Sequence, residues 1–384
     1  EDDTAASHIP QLAGTPAGEV TLLELATHHS GLPNFLNSAY LVGAIAGSNS
    51  AAESTDSFLK EVSRAKLDGR GSFSYSNTGV QLLGLVLARA AGAKSWEDLV
   101  ASRLFEPVGM ESTVFTTIDD DPIVPEGAIR GRLGNGHSTQ PGVGGPIGLI
   151  SGQSTWTTGA DLTRYAQAVL DGSAPGGREA LKPRAGGERS PGVEGDDGVG
   201  YLWRSGHVDG HEIHNHEGSM PWGTAYVALD PASGRAVVVL ANTFVSGVED
   251  LGLALLTGSG RTLDPSPNAY IYLGPSAAIL PALGAWAVWR AEHLGSRLAA
   301  GIRTADLAGW AALAVAGGPW DLLPGWTYAL AIMPGAYAIA SMALRWRELS
   351  WLPGPGRLHW WLWLRLVLCL VFIGLVLFIV IPKG

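Results

Sequence analysis

Cysteine is almost absent from this 384-residue chain, and basic residues are scarce. The single cysteine, Cys369, lies in an apolar run, so the chain can form neither an internal disulfide nor a multi-thiolate metal site. Lys and Arg number 25 against 35 Asp and Glu, which gives a formal net charge of −10 at pH 7. Proteins that bind nucleic acid need clustered Lys and Arg to contact phosphates. No such cluster is present, so we expect no nucleic-acid partner.

Apolar residues are concentrated in the C-terminal third. Residues 1–265 contain 17 Lys or Arg and 31 Asp or Glu, whereas residues 266–384 contain 8 and 4. Four apolar stretches, each near the roughly 20 residues of a membrane-spanning helix, lie at about 270–289, 304–320, 326–344 and 359–381. We therefore predict an acidic globular domain over 1–262, a Pro-containing linker over 263–269, and three or four transmembrane helices within 270–384. Buried helices of a soluble domain are the alternative.

Arginines between the apolar stretches predict the orientation in the membrane. The loop after the first stretch and the loop after the third carry three each: Arg290, Arg297 and Arg303, then Arg345, Arg347 and Arg357. The intervening loop carries Asp321 and no basic residue. Positively charged loops remain in the cytoplasm. The sequence thus predicts a multi-pass protein of the cell membrane, in contact with the lipid bilayer, whose globular domain lies on the extracytoplasmic side.

The globular part has both helical and strand patterns. Apolar spacing predicts helices over 82–91 and 161–170, the second with Thr158 or Asp161 as its cap. Strands are predicted over 212–218, 224–229 and 235–241, the last two joined by a turn rich in Pro and Gly. Residues 171–199 are rich in Gly, Pro and charge, which predicts a surface loop.

Three short segments, in order, resemble those of serine hydrolases related to class C β-lactamases and penicillin-binding proteins. They are Thr21–Pro33 (TLLELATHHSGLP), the triplet Tyr75-Ser76-Asn77 before an apolar helix, and the triplet His216-Glu217-Gly218 before a strand hairpin. The resemblance covers most of residues 1–255. It implies an α+β fold with two lobes, one an antiparallel sheet packed by helices and the other mainly helical.

The resemblance also implies roles for five residues. Tyr75 would be the catalytic phenol that moves protons between the attacking serine and the leaving group. Asn77 would hydrogen-bond the substrate amide, and His216 would stand where relatives carry the Lys of a Lys-Thr-Gly motif. Gly218 completes that motif, and the backbone N–H of Ser219 would donate to the oxyanion. An ordinary tyrosine pKa near 10 suits this role only if neighbouring cations lower it.

The serine nucleophile has no counterpart in this sequence. Relatives carry it in a Ser-x-x-Lys motif upstream of the segment that begins at Thr21, and none of the 20 preceding residues fits. Glu1 is neither an initiator Met nor the start of a signal peptide, so we expect the nucleophile in a segment before it and expect this chain alone to be inactive. Two literal matches, Ser57-Phe-Leu-Lys60 and Ser63-Arg-Ala-Lys66, are interpreted as a solvated helix surface because short patterns match by chance.

A histidine-rich run at 207–216 raises the question of a metal. Strand alternation would place Glu212, His214 and His216 on one face, which is a plausible ligand set. Against this, Asp209-Gly210 is a hairpin-turn signal, and the resembled hydrolases need no metal. We expect no metal and no cofactor.

The sequence therefore predicts a membrane-anchored serine hydrolase that cleaves amide bonds of peptides or peptide-like substrates through an acyl-serine intermediate. A hydrolase domain before membrane helices is similar to the peptidases that mature acylated natural-product precursors, the colibactin-activating group among them. D-peptide and β-lactam hydrolysis stay open. An esterase on the same scaffold is one alternative. A non-catalytic relative that binds a ligand or a membrane partner is another, since Glu217 departs from Lys-Thr-Gly.

Overall fold

The structure is a computed structural model, and two compact units divide the chain. One unit comprises Glu1–Gly131 with Thr139–Asp264, and the other comprises Arg132–Ser138 with Pro265–Gly384. The residues that the structure describes are 1–36, 54–115, 117–118, 121–122, 124–132, 155–187, 194–220, 223–243, 247–260, 296–302, 304–305, 336, 340, 343–352, 364 and 367–371.

A six-stranded antiparallel sheet forms the centre of the first unit, in the order β10-β9-β8-β7-β6-β5. Its strands are β5 Ala185–Gly186, β6 Glu194–Val199, β7 Arg204–Val208, β8 His211–Met220, β9 Gly223–Asp230 and β10 Arg235–Ala241. The short strands β1 Val114–Phe115 and β4 Thr155–Trp156 pair with each other, as do β2 Thr117–Ile118 and β3 Asp121–Pro122.

Local sequence explains the two tight turns of this sheet. Asp209 and Gly210 join β7 to β8 with φ of +50° and +82°, and two successive positive φ values give the turn whose twist matches a hairpin. Between β9 and β10, the Asp230 carboxylate accepts hydrogen bonds from the backbone N–H groups of Ala232 and Ser233. The first turn fixes the register of β7 against β8, and the second fixes that of β9 against β10.

Eight α-helices are described in the same unit. Their bounds are α1 Ala5–His8, α2 Leu22–Ala26, α3 Thr55–Val62, α4 Asn77–Ala90, α5 Trp96–Val100, α6 Glu106–Val108, α7 Gly159–Asp171 and α8 Val248–Thr257. Helix α2 begins at a reciprocal cap, because the Thr21 hydroxyl accepts from Glu24 N and the Glu24 carboxylate accepts from Thr21 N. Arg70 grips the same carboxylate through two N–H donors at 2.7 and 2.8 Å.

Helices cover parts of the sheet with different side chains. Leu253 and Leu256 of α8 pack with Ile213 of β8 and Tyr226 of β9, and Gly252 allows the Tyr226 ring to approach the α8 backbone closely. Helix α7 packs Val169 and other residues against Trp203 and Leu229. A separate apolar cluster joins α1, α2, α3 and α4 into the helical part of the unit.

The structure confirms most of the predicted elements. The helix predicted over 82–91 lies in α4, and the one over 161–170 lies in α7, with Thr158 as its cap. The three predicted strands are β8, β9 and β10, antiparallel as expected. The surface loop predicted over 171–199 is wrong in part, because it contains β5, β6 and a 3₁₀ helix at Gly177–Leu181. Strand β6 has the sequence EGDDGV, which lacks the apolar alternation and β-branched residues typical of strands. The sequence pattern therefore did not predict this strand, which pairs through its backbone.

Most of the four apolar stretches predicted to span the membrane lie outside the described residues, 270–289 entirely so. Within the described part of the chain, no helix combines the length and the apolarity needed to cross a membrane. Two predicted loops are described in the second unit, and they touch: the Arg297 N–H donates to Ser350 O at 2.8 Å. The Arg297 guanidinium also lies 4.7 Å from the Trp351 ring and 5.5 Å from the Trp346 ring.

Candidate active site

Tyr75 and Asn77 lie together where α4 begins. The Ser76 hydroxyl caps this helix by accepting from Gly79 N at 2.9 Å, which fixes the turn that carries both side chains. The Tyr75 hydroxyl donates to Asn77 Oδ1 over a long 3.5 Å. Asn77 is buried and Tyr75 is half-buried, so part of the phenol is accessible to solvent, whereas the Asn77 amide that accepts its hydrogen bond is not.

Asn34 holds this turn from the neighbouring segment. Its side-chain oxygen accepts from both the backbone N and the Nδ2 of Asn77, at 3.1 and 2.8 Å. Its backbone oxygen accepts from Thr78 N at 3.1 Å. Pro33 O accepts from the Ser76 hydroxyl at 3.0 Å, so the end of the Thr21–Pro33 segment and Asn34 together hold the first turn of α4.

His28 packs against the phenol. The two ring centroids are 4.5 Å apart, and His28 has a φ of +59°, an unusual conformation that turns its side chain toward α4. Its Nδ1 accepts from Ser76 N at 3.2 Å, which requires an unprotonated nitrogen. Burial, together with the charges of His216 and Arg204, lowers the pKa of His28 to about 3. His28 is therefore neutral and serves as a wall of the site.

The segment from His216 to Met220 forms a strand edge beside these residues. Strand β7 begins at Arg204, which pairs with Asn215, whereas β8 continues beyond Asn215 to Met220 along β9. Among the described strands, none pairs with the other edge of residues 216–220. Gly218 has open space on its side-chain side, so protein packing does not require glycine there. A backbone edge free of neighbours suits an extended substrate.

Arg204 links the strand edge to the phenol. Its guanidinium carbon lies 5.8 Å from the centre of the Tyr75 ring, and its Nη1 lies 3.7 Å from Glu217 Oε1. The Arg204 side chain is 15% exposed and that of Glu217 is 45% exposed, so the ion pair is buried at its cationic end. Two separate sequence motifs contain Tyr75 with Asn77 and the His216-Glu217-Gly218 triplet. Arg204 contacts a residue of each motif in the folded chain.

The pKa values of Tyr75 and His216 differ from those of exposed side chains of the same type. Burial raises the pKa of Tyr75, Arg204 opposes this rise and Glu217 adds to it, with a net increase. Burial, and then Arg204, lowers the pKa of His216 to about 4. At neutral pH the phenol therefore carries its proton and His216 is uncharged.

A family model named Beta-lactamase matches residues 2–259, about two thirds of the chain. The chain belongs to the beta-lactamase family. Penicillin-binding protein 4 of Amycolatopsis lactamdurans is 27% identical to it over 192 residues, which are 44% of this chain and 47% of that protein. The chain thus spans about half the length of this curated relative.

Solved structures show the same fold. A class C beta-lactamase is 22% identical, with a TM-score of 0.53 over 68% of this chain and 75% of the other. The octameric penicillin-binding protein homologue from Pyrococcus abyssi is 22% identical, with a TM-score of 0.55 over 67% and 60%. These matches show a beta-lactamase fold and support the α+β architecture predicted from the sequence.

Three residues of the site lay beyond the sequence-based prediction. Asn34 directly follows the Thr21–Pro33 segment, and this position was the one sequence feature that could have indicated its role. Arg204 begins the first strand of a hairpin, and Glu249, which interacts with Glu217, lies in the first turn of α8, 32 positions after Glu217. Neither belongs to a motif shared by the beta-lactamase segments quoted above, so only their proximity in space reveals them.

Other candidates fit structural roles in this beta-lactamase fold. His214 Nδ1 lies 2.8 Å from Ser205 Oγ, but Ser205 is 5% and His214 4% exposed, so a substrate cannot reach that hydroxyl. Among the described residues there is no group of three or more His, Cys, Asp or Glu that could hold a metal. Helix α3 turns Phe58, Leu59 and Val62 inward and leaves Lys60 exposed, in agreement with a solvated surface for the Ser57-x-x-Lys60 match.

Glu249 has a consequence for stability. It lies in the first turn of α8, and burial, followed by the charge of Glu217, raises its pKa from 4.5 to about 8. The folded protein therefore keeps a proton that the unfolded chain releases above about pH 4.5. By linkage, this group lowers the free energy of unfolding as the pH rises from about 4.5 to about 8, and the loss is complete above pH 8.

Replacing Glu249 by Gln should remove this pH dependence. One proton bound in the folded state and absent from the unfolded state changes the free energy of unfolding by about 1.4 kcal/mol per pH unit. Because Glu249 is partly exposed, we expect a slope of about 0.5–1 kcal/mol per pH unit. We expect the variant to gain stability over the parent protein progressively between pH 5 and 8, as measured by denaturant unfolding. The exposed carboxyl of Asp98, replaced by Asn, is the control. A stability difference that stays constant across this pH range would contradict the prediction.

Proposed function

We propose that this protein is a membrane-anchored serine hydrolase that cleaves amide bonds of peptides or peptide-like compounds on the extracytoplasmic side. The observation that carries the proposal is the arrangement of Tyr75 and Asn77 beside the edge of β8 that no described strand pairs with, and Arg204 lies near both. A beta-lactamase fold with this arrangement suits acyl transfer, which needs a proton carrier, oxyanion donors and a place for an extended substrate.

A serine of a Ser-x-x-Lys motif, for which residues 1–20 offer no match, would attack the amide carbonyl carbon, and the lysine of that motif would take its proton. The tetrahedral oxyanion would receive the N–H of Ser219 and that of the serine itself. Tyr75, protonated at neutral pH, would give its proton to the leaving amine as the C–N bond breaks. Water would then hydrolyse the acyl-serine ester, with one water proton passing to the Tyr75 phenolate and the lysine returning its proton to the serine oxygen. Asn77 would hold the substrate amide, and the β8 edge from His216 would pair with its backbone.

Glu217 bears on the substrate. Its carboxylate is 45% exposed at the position where the resembled motif carries a small hydroxyl or glycine. An anionic group of a substrate would be repelled there, so recognition of a free peptide carboxylate is disfavoured. We therefore favour substrates whose group at this place is neutral or cationic, with esters as the alternative to amides.

Three observations support the membrane anchor. The apolar stretches have the length of spanning helices. The two arginine-bearing loops, which the positive-inside rule places on one side of the membrane, touch through Arg297 and Ser350. In the last stretch, exposed apolar side chains suit contact with lipid; they are Leu364, Val367, Leu368, Leu370 and Val371, 39–64% exposed.

The experiment is covalent labelling of the full-length protein, expressed in membranes, with a fluorescent penicillin and with a fluorophosphonate. We expect a labelled band that survives denaturing electrophoresis, with the modification mapped by mass spectrometry to a serine other than Ser57, Ser63 and Ser205. Ser57→Ala, Ser63→Ala and Ser205→Ala variants should label normally. No labelling of folded protein by either probe would reject the mechanism and favour a non-catalytic binding protein.

A further inference from the structure

Arg204 is a charged residue of the site that no shared motif predicts. We propose that Arg204 supplies the permanent positive charge beside Tyr75, as a positioning residue that stabilises the ionised phenol, and that His216 does not. This inference rests on the proposed function in so far as Tyr75 transfers a proton. Its electrostatic part concerns the folded protein alone and can be measured without any reaction.

The position of Arg204 is fixed by backbone and side chain together. It is the first residue of β7 and pairs with Asn215, so its backbone is held at the point where the β8 edge becomes free. Its guanidinium lies 5.8 Å from the Tyr75 ring centre, and Glu217 lies 3.7 Å from it on the other side. Because the side chain is 15% exposed, solvent screens its charge less than that of a surface arginine.

His216 cannot provide this charge at neutral pH. Its ring is half-buried, and partial burial together with the nearby Arg204 guanidinium lowers its pKa to about 4. His28, in ring contact with Tyr75, is neutral for the same reasons. An arginine, by contrast, stays protonated at any pH at which the protein is folded. Of the described charges that act on Tyr75, Arg204 favours the phenolate and Glu217 opposes it.

All ionisable groups that the structure describes around the phenol enter the expected result. They are His28, His216, Arg204 and Glu217, with Glu249 acting on Glu217 from α8. Removing the guanidinium charge should raise the pKa of Tyr75 by about one pH unit. Removing the Glu217 charge should shift the pKa in the opposite direction. The two substitutions therefore move one measured quantity both ways, which a general loss of packing would not do.

The experiment is a tyrosinate titration by ultraviolet difference spectroscopy on the full-length protein. Each variant is paired with the same variant carrying Tyr75→Phe, so that the difference isolates the Tyr75 phenol. Arg204→Gln should raise the Tyr75 pKa by about one pH unit, Arg204→Lys should restore most of the original value, and Glu217→Gln should lower it. Arg235→Gln, an exposed arginine of β10, should leave it unchanged.

Probe acylation on the same proteins separates this proposal from the proposed function. The alkaline limb of the acylation rate, where Tyr75 loses its proton, should move to higher pH in Arg204→Gln. An unchanged Tyr75 titration in folded Arg204→Gln would overturn the proposal, even with labelling intact. If Arg204→Gln does not fold, an unchanged Tyr75 titration in folded Glu217→Gln overturns it. Shifted titrations without labelling would reject the hydrolase function and leave the electrostatic role of Arg204 standing.

Discussion

Replacing Tyr75 by Phe is expected to lower the rate of probe acylation by a factor of about 10²–10⁴, the usual contribution of a positioned acid or base. The substitution removes one hydroxyl and keeps the ring, so the contact with His28 at 4.5 Å and the burial of the turn persist. The loss should therefore fall on the chemical step, with folding little affected.

Stopped-flow labelling of the full-length protein measures this effect, and thermal unfolding checks the fold. Tyr201→Phe is the matched control, because that hydroxyl bonds to Glu1 and its ring lies under Arg184, remote from the proposed proton transfer. Equal acylation rates for the parent protein and Tyr75→Phe would remove the phenol from the mechanism.

Replacing Asp161 by Ala should cost about 3 kcal/mol of unfolding free energy, because it strips partners from several donors at once. The carboxylate is 1% exposed and accepts from Ser112 N and Thr113 Oγ1, both at 2.8 Å, and from Arg164 at 2.6 Å. These bonds tie the start of α7 to the chain before β1. Helix α7 in turn packs on Trp203, the residue before Arg204.

Chemical denaturation of the full-length protein measures this loss. Arg164→Ala removes only the half-exposed partner and should cost less than about 1 kcal/mol. Asp171→Ala, at the exposed end of the same helix, should cost similarly little. Comparable stability of Asp161→Ala and Arg164→Ala would show that the buried donors find other partners.

Some contacts of the site can be predicted from the sequence and others cannot. The place of Tyr75 and Asn77 at the start of a helix was predictable, because the triplet Tyr75-Ser76-Asn77 directly precedes an apolar helical pattern. That pattern is local information. The strand edge at His216 was predictable from the hairpin that follows it. Asn34 and Arg204 were not, since their contacts with α4 and with Tyr75 cross 43 and 129 positions of sequence. Such contacts depend on how the sheet and the helices come together.

The expected protonation of the site needed correction by the structure. The resemblance suggested that neighbouring cations lower the pKa of Tyr75, whereas burial raises it overall and Arg204 only opposes the increase. His216, expected in the place of a lysine, is neutral at neutral pH. Burial and charge proximity set both outcomes, and neither quantity can be read from a linear pattern.

The sequence by itself determined the helices with caps, the strands with apolar alternation and the three segments typical of the beta-lactamase family. These depend on neighbours a few residues apart. Only the tertiary structure decided that EGDDGV is a strand, that β7 stops short of the β8 edge, and that Arg204 lies between Tyr75 and Glu217. Those features arise where distant segments meet, because burial and Coulomb interactions depend on distance in space and not on separation along the chain.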